Sequence, residues 1–194
     1  IETLKLLHVH GPLSGSRIGS MSCSGGEAML IADAAEGRDI SFPEFSSNQY
    51  QQVRETLTEL VTVSNPLDYH TFNWNDEEKL YKTYRAMLSC GFDLSLLVLD
   101  FPRPDNCQWD TWHPAVNAIQ RATQDTGQQT AILASLPENL PEDTASDFIN
   151  CGIAPLCGIE QALDAVEAAA KIGYLWRQAP PLNLPGAITE TRQG

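Results

Sequence analysis

Positive charge is scarce in this chain. Lys and Arg number 12 against 25 Asp and Glu, for a formal net charge of −13. Such a surface repels phosphate backbones and argues against nucleic acid as a partner. Long hydrophobic runs are also missing: none approaches the roughly 20 residues that a membrane-spanning helix needs. The opening "IETLKLLHVHGPL" has neither the basic start nor the small-residue cleavage site of a signal peptide. A cytoplasmic protein with no membrane partner is expected. Its first residue is Ile rather than Met, which fits a piece of a longer chain.

Metal and redox patterns are absent as well. The five cysteines (Cys23, Cys90, Cys107, Cys151, Cys157) contain no C-x-x-C pair and are odd in number, so free thiols are expected rather than a disulfide framework. The four histidines (His8, His10, His70, His113) have no metal-ligand spacing. On a helix His8 and His10 would face different directions, so no metal site is expected. There is neither a G-x-G-x-x-G fingerprint nor a P-loop.

What is present is a regular alternation of apolar runs and helical stretches. "RIGSMSCS" (17–24) reads as a strand, followed by a helix over 26–36 that is apolar nearly all round and should be buried on several sides. "ISFPEF" is strand-like. Ser46 or Ser47 then caps a helix whose face is Tyr50, Val53, Leu57 and Leu60. "LVTVSNPLDY" is a second strand, and helix 76–90 carries Leu80, Tyr81, Tyr84, Met87 and Leu88. "DLSLLVLDF" (93–101) has the continuous apolar run of a strand buried on both faces. Helix 114–126, strand 129–135, helix 141–150, the strand "IAPLCG" and helix 159–177 complete the pattern.

Strands separated by single helices imply right-handed crossovers and a parallel sheet of about five strands. The expected fold is a flavodoxin-like, doubly wound, three-layer α/β/α domain over residues 17–177. Residues 1–16 read as a helical stub and linker, and 178–194, rich in Pro and Gly, as a linker or tail. Such sheets bind ligands beyond the carboxyl ends of their strands. That edge collects Ser22–Gly26, Ser64–Tyr69, Phe101–Cys107 and Ser135–Glu138.

Ser24-Gly25-Gly26 sits where a strand turns into a helix. Free amides and a partial positive charge there suit a phosphate, and Ser24 adds a hydroxyl. The same residues are compatible with a tight turn that binds nothing. "SCSGG" also imitates a nucleophile elbow with Ser24 central, for which Asp100 and His113 come in the right order. His113 precedes two further strands, however, which is not where such a hydrolase keeps its histidine. Asn65, Asp68 and His70 in "NPLDYH" lie on the ligand edge. Arg103 in "DFPRPDN" is placed there too, either to hold a carboxylate or phosphate or to form a surface pair with Asp100 or Asp105.

Taken together, Ser24-Gly25-Gly26, Ala32-Asp33-Ala34, Pro43 and Asn65-Pro66-Leu67-Asp68 resemble the second flavodoxin-like domain of NDP-forming acyl-CoA synthetases. These are the ADP-forming acetate–CoA ligase relatives of succinyl-CoA synthetase. The closing "GIAPLCGIEQALDAVEAAAKI" is similar to that family's last strand and helix, so the resemblance covers about residues 17–177. It implies an enzyme that converts a small carboxylic acid, coenzyme A and ATP to acyl-CoA, ADP and phosphate, through an acyl phosphate and a phosphohistidine. It also implies that the work is divided. The phosphohistidine, the coenzyme A site and the ATP-grasp site for ATP/ADP and Mg belong to other domains of the same enzyme. No catalytic residue falls in this one, and Ser24, Gly25 and Gly26 cradle the phosphate. Two departures leave the acyl specificity open. Tyr69-His70 follows Asp68 where the family more often has Leu-x-Gly, and Phe101-Pro102-Arg103 has no glycine pair. A non-catalytic flavodoxin-like binding or regulatory module, and more remotely a serine hydrolase, are the competing classes.

Overall fold

In a computed structural model, which describes residues 1–102, 107 and 109–178, five parallel strands form one sheet. They are β1 (Ile18–Ser22), β2 (Leu67–Asp68), β3 (Leu94–Val98), β4 (Thr130–Ala134) and β5 (Ile153–Cys157), in the order β2-β1-β3-β4-β5. The helices are α1 (Glu2–His10), α2 (Gly25–Ala34), α3 (Ser47–Arg54), α4 (Glu77–Leu88), α5 (His113–Thr126), α6 (Glu142–Asn150) and α7 (Ile159–Gln178). This is the flavodoxin-like order, and the direction of winding reverses between β1 and β3.

The period-2 alternation of β3 supplies two cores. Leu94, Leu96 and Val98 face one layer with Leu6 of α1, Ile31 of α2 and Leu163 and Val166 of α7. Leu97 and Leu99 face the other with Val53 of α3, Leu80 and Tyr84 of α4, Ile119 of α5 and Phe148 of α6. Every residue of β3 is buried, Ser95 with its apolar neighbours Leu94, Leu96, Leu97 and Val98.

The strand expected from "LVTVSNPLDY" shrinks to Leu67–Asp68. Pro66 has no amide to give a ladder, and the Asn65 side chain takes the place of backbone. Its Oδ1 accepts from the Ser20 amide at 3.0 Å, and its Nδ2 donates to the carbonyls of Ile18 at 2.8 Å and Pro43 at 3.2 Å. "ISFPEF" forms only an isolated bridge, Ser41 with Arg17.

Three other expectations change. Ser46 caps α3 in a reciprocal capping box with Gln49, but the helix ends at Arg54, and Leu60 is exposed. α2 is not buried on several sides: Ile31 is fully buried, whereas Met29 and Leu30 are 68% and 56% exposed. The segment read as a stub and linker packs into the domain. Leu6 and Leu13 are fully buried, and the Leu13 amide donates to the Ala169 carbonyl of α7 at 3.2 Å. No helix among the described residues is long and apolar enough to cross a membrane.

Candidate functional site

The carboxyl ends of β1 and β3 border the reversal point of the sheet, where doubly wound folds open a crevice. α2 starts there. Ser24 is its N-cap in extended conformation (φ −134°, ψ 124°), and its carbonyl accepts from Ala28 of the first turn at 3.1 Å and from the Ser22 hydroxyl at 2.8 Å. The Ser24 hydroxyl makes no capping bond. Among the described residues, nothing accepts from the Gly25 or Gly26 amides, so both remain available at the positive end of the helix.

Asp68, the last residue of β2, reaches the same spot. Its Oδ2 would lie 3.1 Å from a Cβ on Gly25, a tight contact that a larger residue relieves only by shifting the carboxylate. Its Oδ1 accepts from the His70 amide at 2.9 Å, and its Oδ2 is 3.5 Å from His70 Nε2. His70 takes φ 59° and ψ 170°, a region that side chains other than glycine's rarely enter, and stacks on Phe72 at 5.2 Å between ring centroids. Asp68 and His70 therefore meet at the head of α2. Asn65, expected as an edge residue for substrate, instead spends both ends of its amide on β1 and Pro43. Arg103 lies outside the described residues.

Beside this helix head is a cleft of about 320 Å³ lined by Cys23, Glu27, Thr71, Trp74, Asp100 and Trp112, with Val98 and Leu99 at its base. The two indoles meet edge to face, 5.6 Å between centroids. Trp112 Nε1 donates to the Asp100 carbonyl at 2.8 Å. The Asp100 carboxylate is already engaged, accepting from the Ser135 amide at 2.7 Å and from its hydroxyl.

Glu27 is different. Its Oε2 is sealed from solvent and has no hydrogen-bond partner among the described residues. Burial, then the charges of Asp100 and Asp68, push its carboxyl up to about 7. Burial, followed by the charge of Glu27, raises the Cys23 thiol to about 11, so it stays protonated and is a poor nucleophile.

Sequence reasoning passed over Glu27, Trp74 and Trp112. The one available signal was a carboxylate placed directly after two glycines at a helix start.

The hydrolase constellation does not assemble. Asp100 serves Ser135 rather than His113, and among the described residues Ser24 has no hydrogen bond to a histidine. His113 begins α5, its ring 6.2 Å from that of Trp109. His10 is also spoken for, its Nε2 2.8 Å from the Thr130 carbonyl. Nor does the cleft fit a large phosphorylated cofactor. It is small, and no Lys or Arg is among the described residues that line it.

No protein-family model matches the sequence, and no curated protein matches it. Solved structures do. PH0766 from Pyrococcus horikoshii OT3 matches with a TM-score of 0.69 and 19% identity, over 88% of this chain and 39% of that one. The dinucleotide-forming acetyl-coenzyme A synthetase 1 of Ca. Korarchaeum cryptofilum, in its apo form, matches with a TM-score of 0.69 and 17% identity, over 92% of this chain and 39% of that one. Its complex with phosphate and ADP gives the same TM-score and identity, over 92% and 38%. What is shared is the fold. This chain spans about two fifths of the length of those solved chains.

Proposed function

We propose that this chain is one domain of an NDP-forming acyl-CoA synthetase, which joins a small carboxylic acid to coenzyme A at the expense of ATP. Its part is to present the head of α2 to a phosphoryl group carried by a histidine of another domain. The observation that carries this reading is the pair of open amides, Gly25 and Gly26, at the reversal point of a sheet whose fold matches part of an acetyl-CoA synthetase. Oriented amides of this kind stabilise a phosphoryl anion without rearranging during the reaction. Coenzyme A and Mg-bound nucleotide fall to the other domains in this reading. The exposed apolar face of α2, with Met29, Leu30 and nearby Leu136, agrees with a surface that the rest of a longer protein covers.

A second reading has its own support. Asp68 beside Gly25, with Glu27 close by, brings negative charge to the helix head, which suits a binding module that has lost phosphoryl chemistry.

One experiment separates the two. Incubated with labelled ATP, this chain alone should yield no acid-labile, base-stable phosphoprotein. A longer protein containing it should do so, and a bulky residue at Gly26 should slow that labelling by about 10²-fold. Labelling of this chain alone at His70 would overturn the proposal. Labelling of the longer protein that is indifferent to Gly26 would favour the binding module.

A further inference from the structure

The end of α7 leaves large apolar side chains exposed. Its buried stripe of Ala162, Val166 and Ala169 stops at Gly173, and beyond it Tyr174, Leu175 and Trp176 are 58%, 53% and 70% exposed. A groove of about 770 Å³ runs along one flank of this stretch, lined by Lys171, Tyr174 and Arg177 of α7 and by Ser14, Gly15 and Ser16 of the approach to β1. We propose that the groove seats the chain's own segment 179–189, which turns back at the end of α7 and straps it to the residues before β1. The proposal goes beyond the synthetase reading and does not depend on it.

Position comes first. Gln178 is the last residue the structure describes, and the chain continues from beside Arg177 with "APPLNLPGAIT". Tyr174 lies about 6 Å back along the helix axis, a span that about two or three extended residues cover. A segment tethered this close is present at millimolar effective concentration, so weak contacts are enough to hold it.

Hydrogen bonding then selects the occupant. Lys171, Tyr174 and Arg177 line the groove with donors, whereas the acids nearby are already engaged. Asp164 pairs with Arg38, and Glu167 accepts from the Asp39 amide at 3.0 Å. Pro180, Pro181 and Pro185 offer carbonyl acceptors and have no amide hydrogens that would need partners. Pro180 also stops the helix from continuing. Sequences of this kind favour the extended conformation that aromatic-lined grooves recognise.

Charge and apolar contact agree. Residues 179–189 carry no charge, so neither the cations nor the acids around the groove repel them. Leu182 and Leu184 supply the apolar side chains that pack against Tyr174 and Ala170. Strapped in this way, the chain leaves from the flank of α7 and not from its tip, which fixes where any following segment starts.

The test is nuclear Overhauser spectroscopy on the isotope-labelled 194-residue chain. The methyls of Leu182 and Leu184 should give cross-peaks to the Tyr174 ring and to the α-protons of Gly15, contacts that closeness along the chain does not produce. Tyr174→Ala should remove these cross-peaks and return both leucines to the shifts of an unstructured chain. Trp176→Ala should leave them in place, because Trp176 is turned about 200° from Tyr174 around the helix.

Absence of every cross-peak between residues 179–189 and the groove would overturn the proposal, as would cross-peaks that survive Tyr174→Ala. So would cross-peaks that fade on dilution while the fold is retained, since the groove would then hold the segment of a second copy. Tyr174 is exposed, so its truncation should leave the fold intact, and the cross-peaks of the unaltered chain decide in any case.

Discussion

Oδ2 of Asp68 would stand 3.1 Å from a Cβ on Gly25, so the end of β2 and the first turn of α2 meet at this glycine. A methyl group there must push the carboxylate aside. Gly25→Ala is expected to cost about 1 kcal/mol of stability and to weaken phosphate binding. Gly26→Ala meets only Ser24 Oγ at 3.5 Å, an ordinary contact, and should be neutral or slightly stabilising because Ala favours helix. Urea denaturation and phosphate titration of both variants check this. Unchanged phosphate binding in Gly25→Ala would remove Asp68 and the helix head from the site.

Asn65 should behave as a structural residue. Asn65→Ala strips partners from the Ser20 amide and from the Ile18 and Pro43 carbonyls, and should cost about 2–3 kcal/mol. Asn65→Asp keeps the acceptor for Ser20 but loses both donations, and should fall between. Denaturation midpoints in urea measure it. A loss below about 0.5 kcal/mol in Asn65→Ala would mean that water takes over the pairing.

Stability should fall as pH rises through the titration of Glu27. Its folded pKa of about 7 stands above the ordinary 4.5, so between those values the folded chain holds a proton that the unfolded chain has released. Stability is then highest below the lower value, declines across the window and levels off above pH 7. Glu27 is only partly buried, which reduces the effect to about 1 kcal/mol. Glu27→Gln should therefore melt about 2–4 °C above the parent at pH 8 and close to it at pH 4.5. Parallel melting curves at both pH values would show that the carboxyl titrates normally.

A Cβ on Gly173 would fall on the Leu13 carbonyl oxygen, and a backbone atom cannot swing away as a side chain does. Gly173→Ala is expected to cost about 1–3 kcal/mol and to loosen α1 from α7. Hydrogen exchange at the Leu13 amide, which donates to Ala169, should rise more than exchange in β3. Uniform protection across both would mean that the helices shift together.

How far these features could be read from residues alone depended on whether one strand carried its own signal. β3 declared itself because a strand buried on both faces must be apolar at nearly every position, and four of the five residues of Leu94–Val98 are, Ser95 being the exception. Residues 61–65 did not become strand even though they have the composition of one, because a side-chain amide replaced backbone pairing, and no periodicity encodes that. α2 misled for a related reason. An apolar helix reads as buried, yet the sequence does not say which partner buries it, and in this chain Met29 and Leu30 face outward. The strand-to-helix turn at the head of α2 was legible through Gly25 and Gly26. The cleft was not, since Glu27, Trp74 and Trp112 come from separate segments and acquire meaning only when the loop over 71–74 folds over the end of β3.

Leu13 against Gly173, and the Arg177 guanidinium donating to the Ser14 carbonyl at 2.9 Å, tie the approach to the first strand to the last helix. The residues that lead into β1 and the last described helix therefore share one seam. The seam works as a clasp, closing the residues before β1 onto α7 through backbone and side chain alike.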